Sequence, residues 1–331
     1  MALILNRIKK DIGRILISKF PNLKLILSKM NMYLFHFQGR MHIKHYGNED
    51  ADKVYYVIRP LSKEAGLMAI YMQVLADISY AINHDYIPVV DFNSNLCQYY
   101  TGNTINGSMN PWDWFFEQPS KIKIEDLKNK YNVIYSGWSF KGSVPPCIPT
   151  SKESLNNKFW KNFSSQYAPV NGFVNQRAEE IYTQLFKDEK TLGVLLRGTD
   201  YTSLKPSGHP VQPSVEQVCL KIDDFLSRYD ISNIFLVTED YDYYQKLKNI
   251  YGDKLFVSDD RFIKEYTGKG YLYEEAHSDA YNRAFSYLIR LMLLNKCQYL
   301  ISGLTCGSIA ASLINTNEYT DSYYFDLGYY E

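Results

Sequence analysis

The sequence has no excess of charge of either sign and few cysteines, and each absence excludes a class of protein. Its 331 residues include 36 Lys and Arg against 36 Asp and Glu, so the formal net charge is zero. A balanced chain does not bind nucleic acid through bulk charge. The five cysteines are scattered and include no CxxC pair. This argues against a zinc site or a disulfide framework and favours a reducing compartment.

Long apolar runs are absent as well. None reaches the length of about 18 residues that a membrane-spanning helix requires. Hydrophobic residues make up 46% of the chain and charged residues 22%, which is close to the average of globular domains. This composition excludes a disordered chain, a fibrous repeat and a small disulfide scaffold. Tyrosine is frequent, with 30 residues, and its ring and hydroxyl suit a sugar or base pocket as well as an ordinary core.

The first 45 residues carry the one clear charge asymmetry. They contain nine lysines and arginines and a single acid, Asp11, with apolar residues interleaved. This segment is too charged for the apolar region of a secretory signal. We therefore interpret residues 1–48 as a basic amphipathic segment. It either contacts an anionic membrane face or packs, solvated, on the neighbouring domain.

From about residue 53 the sequence alternates between strand and helix patterns. Residues 53–58 and 86–91 are rich in β-branched and aromatic residues, which is typical of strands. Between them, apolar residues recur at helical spacing after Gly66. This order is a βαβ unit, which predicts the beginning of a parallel sheet. Residues 93–120 and 136–150 are predicted to be irregular, and residues 151–188 helical.

A second α/β unit begins at Thr191. Residues 192–196 form a continuous apolar run, as buried parallel strands do. The pattern therefore predicts two α/β domains in series, and ligands of such sheets bind at the carboxyl ends of strands and often between domains. Further strands are predicted at 233–238, 254–257 and 298–301, and helices at 213–229, 242–251, 279–296 and 303–313.

The first polar loop of the second unit is Arg197-Gly-Thr-Asp200, directly after its first strand. A guanidinium at a strand end could hold a phosphate through two hydrogen bonds. Gly198 would let the backbone approach a ligand closely. Asp200 could orient Arg197 or cap a turn. The alternative to a phosphate site is a structural Arg–Asp pair.

Two more polar loops follow strands of the same unit. The acids of Thr238-Glu239-Asp240 could orient a ribose hydroxyl or cap the next helix, and spacing alone favours the cap. In Gly303-Leu-Thr-Cys-Gly-Ser308, small residues with free N–H groups open a helix and could bind an anion. The hydroxyls of Thr305 and Ser308 could add hydrogen bonds, and an ordinary N-cap is the alternative. P-loop and complete dinucleotide fingerprints are absent from the sequence.

Histidine offers one candidate for acid–base chemistry. Among the six histidines, His209 lies in a loop twelve residues after Arg197. A histidine in a loop can exchange a proton with a substrate or contact it. The sequence shows no cluster of His, Asp and Glu at metal-ligand spacing, so no metal cofactor is predicted.

These motifs, in this order, resemble the fucosyltransferase superfamily of core α1,6-, nodulation and protein O-fucosyltransferases. Its first motif is a strand followed by His-x-Arg-Arg-Thr-Asp, with a His-Pro nine residues further on. Leu195-Leu-Arg-Gly-Thr-Asp200 is similar, and His209-Pro210 lies at the same offset. Val237-Thr-Glu-Asp240 is similar to the second motif, a strand ending in Thr-Asp-Asp. Thr305 and Cys306 replace two serines of the third, and residues 65–69 resemble a glycine-rich loop of related transferases.

The resemblance implies a fold and a set of substrate contacts. The fold is α/β, with two Rossmann-like domains facing a cleft, the GT-B arrangement of glycosyltransferases. Residues 49–178 would form the acceptor domain and residues 179–331 the donor domain. Arg197 would hold the donor β-phosphate, and Thr305 and Cys306 would offer backbone N–H groups to the diphosphate. The remaining substrate-binding candidates are Gly66, Gly198, Thr199, Glu239, Asp240 and Ser308.

Three departures from the family pattern put the donor in question. The histidine of the first motif, a nucleotide contact, is Leu195 here. An aspartate on the helix before the third loop falls at Arg290. A carboxylate proposed as the base in core fucosyltransferases falls near Lys205, which is not a carboxylate base. The nucleotide, the sugar and the base are therefore not fixed by the resemblance.

The motifs predict a glycosyltransferase that uses a nucleotide-diphosphate sugar, with GDP-fucose as the first choice, and a carbohydrate acceptor of surface polysaccharide or glycoconjugate synthesis. We expect inversion without a metal cofactor, with Asp200, His209 or Glu239 as the base. The expected location is the cytoplasm, with contact at the inner membrane face left open through residues 1–45. The alternatives are a non-catalytic carbohydrate- or nucleotide-binding module and a membrane-associated scaffold.

Overall fold

A computed structural model describes residues 41–60, 65–93, 97–137, 148–187, 189–264, 266 and 279–331. Most of the basic segment at 1–45 therefore lies outside the described residues. The described chain contains two β-sheets, one in each half, with helices packed around both.

The N-terminal sheet has four strands in the order β1-β4-β2-β3. The central strand β2 pairs in parallel with β3 and β4, and β1 runs antiparallel to β4 at the edge. Helix α1 connects β2 to β3, as the βαβ pattern predicts. The elements are β1 (His42–Lys44), β2 (Glu49–Ile58), α1 (Leu67–Asn83), β3 (Ile87–Val90) and β4 (Lys130–Tyr135).

The C-terminal sheet has five parallel strands in the order β7-β6-β5-β8-β9. Strand β5 is central and fully buried, in agreement with its continuous apolar sequence. The strands are β5 (Thr191–Leu195), β6 (Asn233–Val237), β7 (Leu255–Phe256), β8 (Tyr299–Gly303) and β9 (Asp321–Phe325). The helices after β4 are α2 (Lys158–Tyr167), α3 (Gly172–Leu185), α4 (Thr199–Leu204), α5 (Val215–Arg228), α6 (Tyr241–Tyr251), α7 (Ala280–Leu294) and α8 (Cys306–Ile314).

The structure differs from the predicted organisation in three places. Residues 42–44, assigned from the sequence to the basic segment, form the edge strand β1. The region 151–188, predicted to be helical, is divided between α2 and α3, because Pro169 cannot continue α2 and Asn171 caps α3. The boundary predicted at residue 178 falls inside α3, and this helix packs against α7 of the C-terminal half.

The main hydrophobic core extends through both halves of the chain. It joins Tyr56 and Ile58 of β2, the buried face of α1, and the aromatic side chains of 112–116 to α7 and α8. Helix α8 packs directly against α1 and α2. These contacts place the beginning of α1 opposite the carboxyl ends of β5, β6 and β8.

Candidate active site

A cavity of about 800 Å³ lies between the two sheets. Its C-terminal wall consists of residues that follow β5 and β6, together with the first turn of α8 and one face of α7. Its N-terminal wall includes Arg59 after β2 and the first turn of α1. Ligands of open parallel sheets bind at such strand ends. Of the candidates from the sequence, Gly66, Arg197, Asp200, His209, Glu239, Thr305 and Cys306 line this cavity.

Arg197 is held at the cavity wall by two carboxylates. One of its terminal nitrogens lies 2.8 Å from Asp200 Oδ1, and the other lies 3.4 Å from Glu239 Oε1. Its guanidinium also lies over the Tyr201 ring, 5.2 Å from the ring centre. Burial disfavours the charged guanidinium, but the negative charges of Glu239 and Asp200 outweigh the effect of burial, so the pKa of Arg197 is raised. The guanidinium is therefore permanently charged, oriented, and still 26% exposed to the cavity.

Gly198, Thr199 and Asp240 lie outside the set of described residues that line the cavity. The N–H of Gly198 donates to Glu239 Oε1 at 2.9 Å, and the N–H of Thr199 donates to Asp240 Oδ2 at 3.0 Å. A Cβ on Gly198 would lie 2.2 Å from that same Asp240 oxygen, so only glycine fits. These residues tie two loops together, and their contact with substrate stays a prediction.

Asp240 has a second structural role that the spacing predicted. Its Oδ1 accepts a hydrogen bond from the N–H of Tyr243 at 3.1 Å, and Asp240 is the N-cap of α6. The cap interpretation of this loop is confirmed. Its neighbour Glu239 faces the cavity and binds Arg197. Asp240 therefore caps α6, whereas Glu239 orients the guanidinium.

The first turn of α8 is closed by a capping box. The N–H of Thr305 donates to Ser308 Oγ at 2.8 Å, and the N–H of Ser308 donates to Thr305 Oγ1 at 3.1 Å. Ser308 is buried and lies outside the described cavity lining, and its contact with substrate stays a prediction. The Thr305 N–H, predicted as a diphosphate donor, is occupied by the cap.

Cys306 and Gly307 are the residues that can offer N–H groups. They are the first two residues of α8, and the first N–H groups of an α-helix have no acceptor within the helix. Both line the cavity. The contribution of Cys306 is through its backbone, because burial raises the pKa of its thiol and keeps it neutral. Gly307 belongs to the loop 303–308 that the sequence indicates as an anion site, although it was not singled out there as a contact.

His209 lies at the cavity in a loop held by the end of the chain. The N–H of Tyr330 donates to the His209 carbonyl at 2.9 Å, and the N–H of Gly208 donates to the Tyr330 carbonyl at 2.8 Å. The imidazole is partly exposed and meets the Tyr201 ring edge-on, with 5.4 Å between the ring centres. Its Nδ1 lies 3.3 Å from the Ser207 carbonyl oxygen. This partner favours a proton on Nδ1, which leaves Nε2 as the basic nitrogen.

One face of α7 adds three cavity residues, of which the sequence had singled out only Arg290, as a departure from the family pattern. Arg283, Tyr287 and Arg290 recur at spacings of four and three residues, so they share one face of the helix. That spacing was a signal that could have identified them. Burial lowers the pKa of Arg283, and the nearby charge of Arg197 adds to this. Several guanidinium groups thus face one cavity, which suits an anionic ligand.

Arg290 stands where the family pattern has an aspartate, and its contacts show what it does here. Its Nε lies 3.1 Å from Asp259 Oδ2, and its Nη2 binds Asp259 Oδ1 as well. Its Nη1 donates to the carbonyl of Thr238 at 3.4 Å. Arg290 therefore joins the loop after β6 to the segment after β7 at the edge of the cavity.

Two general features of the described residues bear on the site. Among them, no group of three or more His, Cys, Asp and Glu side chains could hold a metal ion. Within the same described ranges, every helix is too short or too polar to cross a membrane.

The comparisons with known proteins concern the fold. No protein-family model and no curated protein matches the sequence of the chain. The chain is similar to the solved structure of fucosyltransferase NodZ from Bradyrhizobium, with a TM-score of 0.51 and 14% identity over 79% of this chain and 94% of NodZ. It is also similar to apo POFUT1, with a TM-score of 0.52 and 9% identity over 84% of this chain and 99% of that one.

At these identities the likeness establishes the fold. The chain has the α/β fold of NodZ and POFUT1, and its two sheets face one cavity. The predicted fold class, two Rossmann-like domains of GT-B type around a cleft, is confirmed. The resemblance to fucosyltransferases, stated from three loop motifs, is confirmed at this level.

Proposed function

We propose that the protein is a glycosyltransferase that uses a nucleotide-diphosphate sugar as donor and a carbohydrate hydroxyl as acceptor. The observation that carries this proposal is the position of Arg197. Its oriented guanidinium faces the same cavity as the first N–H groups of α8, between two sheets with the fold of fucosyltransferases. A fixed cation and a helix N-terminus together form a site for a diphosphate.

The proposed reaction uses these groups to stabilise the leaving group. The acceptor oxygen forms a bond to the anomeric carbon of the donor sugar, while the bond from that carbon to the diphosphate oxygen breaks. The electron pair of that bond stays on the diphosphate, where charge develops. Arg197 and the N–H groups of Cys306 and Gly307 are already oriented toward the cavity, so they stabilise this charge with little rearrangement. We propose that these groups suffice without a metal ion.

For the base that takes the acceptor proton, we propose His209. Each of the other two candidates uses one oxygen to order the site: Asp200 Oδ1 binds Arg197 and accepts the N–H of Tyr201 at 3.0 Å, and Glu239 Oε1 accepts from Gly198 and Thr199. The imidazole of His209 is accessible from the cavity. Attack from the face opposite the diphosphate, with His209 as base, would invert the anomeric centre.

For the donor, we propose a GDP-sugar, with GDP-fucose as the first candidate. The support is the resemblance of the three loop motifs to fucosyltransferases and the shared fold. Leu195 and Arg290, at positions where the family has nucleotide-contacting residues, are reasons to test other nucleotides beside it. The sugar that the chain transfers is therefore a separate question from the class of reaction.

The acceptor and the setting are proposed from the shape of the site and the sequence. The acceptor would enter the cavity from the side of Arg59 and the first turn of α1. A glycan of surface polysaccharide such as capsule or lipopolysaccharide, or of another glycoconjugate, would suit this site. The basic residues of 1–45 would hold the enzyme at the inner face of the cytoplasmic membrane, near lipid-linked acceptors.

The first experiment is a thermal-shift series with GDP, GDP-fucose, UDP, CMP and dTDP, each with and without EDTA. A ligand at 100 times its Kd adds about 2.7 kcal/mol to the free energy of unfolding, which is readily visible as a melting shift. We expect GDP and GDP-fucose to stabilise the wild type in EDTA and to lose this effect in Arg197→Ala. Arg177→Ala, which removes a surface arginine paired with Glu180, is the matched control.

Each possible result of these experiments favours a different hypothesis. Stabilisation by another nucleotide would keep the transferase and replace the donor. Nucleotide binding without sugar transfer to any glycan acceptor would favour the non-catalytic binding module. The absence of every nucleotide response, with vesicle binding retained in Arg197→Ala, would favour the membrane-associated scaffold and overturn the proposal.

A further inference from the structure

The hydroxyl of Tyr287 lies against the first turn of α8. A Cβ built on Gly307 would lie 1.8 Å from Tyr287 Oη and 3.0 Å from its Cζ. The backbone of Gly307 is helical, so its conformation does not demand glycine. Glycine is required at residue 307 because the Tyr287 hydroxyl occupies the space that a side chain would need. This contact joins α7 to the N-terminus of α8 at the point where both line the cavity.

The surroundings of Tyr287 are those of the proposed diphosphate site. Burial raises its pKa, and the charges that act on it include Arg197, which opposes the shift, and Glu239, which adds to it. Cys306 and Arg290 are the other groups close enough to act. The phenol therefore remains neutral in the working pH range and keeps its proton for donation.

We propose that Tyr287 is a further ligand of the donor diphosphate and donates a hydrogen bond to one of its oxygens. This inference rests on the proposed function and adds a residue outside the three loop motifs. The hydroxyl would act beside Arg197 and the N–H groups of Cys306 and Gly307. When the bond between the anomeric carbon and the diphosphate oxygen breaks, its electron pair stays on the diphosphate. The Tyr287 proton is shared in a hydrogen bond and is not transferred.

The direct test compares Tyr287→Phe with Tyr281→Phe by calorimetric titration of GDP and of guanosine. Tyr281 lies on the same helix, packs edge-on against Trp114 with 5.5 Å between ring centres, and is outside the described cavity lining. Loss of a hydrogen bond to a charged group weakens binding about 10- to 100-fold. We expect that loss for GDP with Tyr287→Phe, no comparable loss for guanosine, and unchanged binding with Tyr281→Phe.

The close contact with Gly307 provides a second, independent test. In Gly307→Ala the new methyl group must displace the hydroxyl, so GDP affinity should fall as it does in Tyr287→Phe. In the double variant the hydroxyl is gone and the methyl group has room after a small shift. We therefore expect the double variant to bind GDP as Tyr287→Phe does, with no further loss.

The outcomes separate this inference from the proposed function. If wild type binds no nucleoside diphosphate, including UDP and dTDP in place of GDP, the proposed function fails. If wild type binds GDP and Tyr287→Phe binds it equally well, only the Tyr287 contact is overturned. A double variant that binds much more weakly than Tyr287→Phe would also overturn the contact, because the methyl group itself would then obstruct the ligand. A general folding defect would weaken guanosine and GDP alike.

Discussion

At the scale of single residues, the structure distinguishes His209 from Asp200 and Glu239, the two carboxylates that the sequence offered as alternative bases. Asp200 and Glu239 orient Arg197, whereas His209 has an accessible ring in the cavity wall. We predict that His209→Asn lowers kcat of sugar transfer about 100-fold or more, because general base catalysis contributes about 10²–10⁴-fold. Donor affinity should change little, because the donor site consists of other residues.

The control for this prediction is His84→Asn. His84 lies at the end of α1 beside Tyr80 and outside the described cavity lining. Steady-state kinetics with saturating donor measure kcat, and nucleotide titration measures donor affinity. An His209→Asn enzyme with wild-type kcat would show that another group takes the proton.

Asp77 gives a prediction for the pH dependence of stability. It is buried in α1, where Tyr56 and Gln73 donate hydrogen bonds of 3.0 and 2.8 Å to its two oxygens. Burial raises its pKa to about 7, and these hydrogen bonds offset only part of the shift. In the unfolded chain an aspartate ionises near pH 4. Between about pH 4 and pH 7 the folded chain thus holds a proton that the unfolded chain has released.

Because the folded state binds more protons in that window, the free energy of unfolding must fall as pH rises through it. The full effect is on the order of 4 kcal/mol, at about 1.4 kcal/mol for each unit of pKa. We predict that Asp77→Asn removes most of this slope in urea unfolding at pH 4 to 8. Exposed Asp253→Asn controls for the loss of one negative charge. A slope that is the same in wild type and Asp77→Asn would contradict the assignment.

Single residues also show where sequence reasoning reached its limit. Arg197 was found because it follows a recognisable strand, and strand ends converge at one edge of a sheet. Tyr287 and Gly307 are 20 residues apart on two helices, and their contact depends on how closely those helices pack. No local pattern encodes that distance. Likewise, the sequence could not show that Ser308 turns inward to close a capping box.

At the scale of elements, the N-terminus of α8 links helix stability to the proposed donor site. The capping box between Thr305 and Ser308 orders the turn whose N–H groups face the cavity. We predict that Thr305→Ala costs about 1 kcal/mol of stability, as loss of an N-cap does, and also weakens nucleotide binding. The second effect follows because the N–H groups of Cys306 and Gly307 lose their fixed direction.

Helix α5 provides a matched control for Thr305→Ala. Ser214 and Gln217 form the same kind of capping box, and Ser214 lies outside the described cavity lining. Ser214→Ala should cost a similar free energy of unfolding and leave nucleotide affinity unchanged. Chemical denaturation and nucleotide titration of both variants separate the two effects. Equal losses of affinity in both variants would mean that stability alone controls binding.

The elements that the sequence predicted are those whose burial matches their pattern. The central strand β5 is apolar throughout and buried throughout, and α1 shows regular apolar spacing. Strands β4 and β9 were missed although their sequences, KYNVIY and DSYYF, are rich in β-branched and aromatic residues, because both strands are short and only partly buried. Their pairing with β2 and β8 fixes the place of each strand in its sheet, which the local sequence does not show.

At the scale of the whole molecule, the fold class could be predicted because two α/β patterns follow one another. The site between them could be predicted only in part. The donor-side loops meet at one sheet edge, but the cavity also depends on α7 and on the packing of α8 against α1 and α2. Those contacts join residues more than 100 positions apart. The sequence alone does not fix how two such domains face each other.

The shared core leads to a prediction about unfolding. Because the main core runs from β2 and α1 into α7 and α8, unfolding of either half would expose core surface of the other. We predict one cooperative transition. All four tryptophans lie between residues 112 and 160, so their fluorescence reports the N-terminal half, whereas far-UV circular dichroism reports both halves.

A nucleotide that binds at Arg197 and the first turn of α8 should therefore raise the melting temperature seen by fluorescence and by circular dichroism by the same amount. Arg197→Ala should abolish both shifts together. Two separate transitions, with a nucleotide shift confined to circular dichroism, would show that the halves unfold independently. In that case the core contacts between α8 and α1 would contribute little to the stability of either half. The cavity would then depend on ligand binding to bring its two walls together.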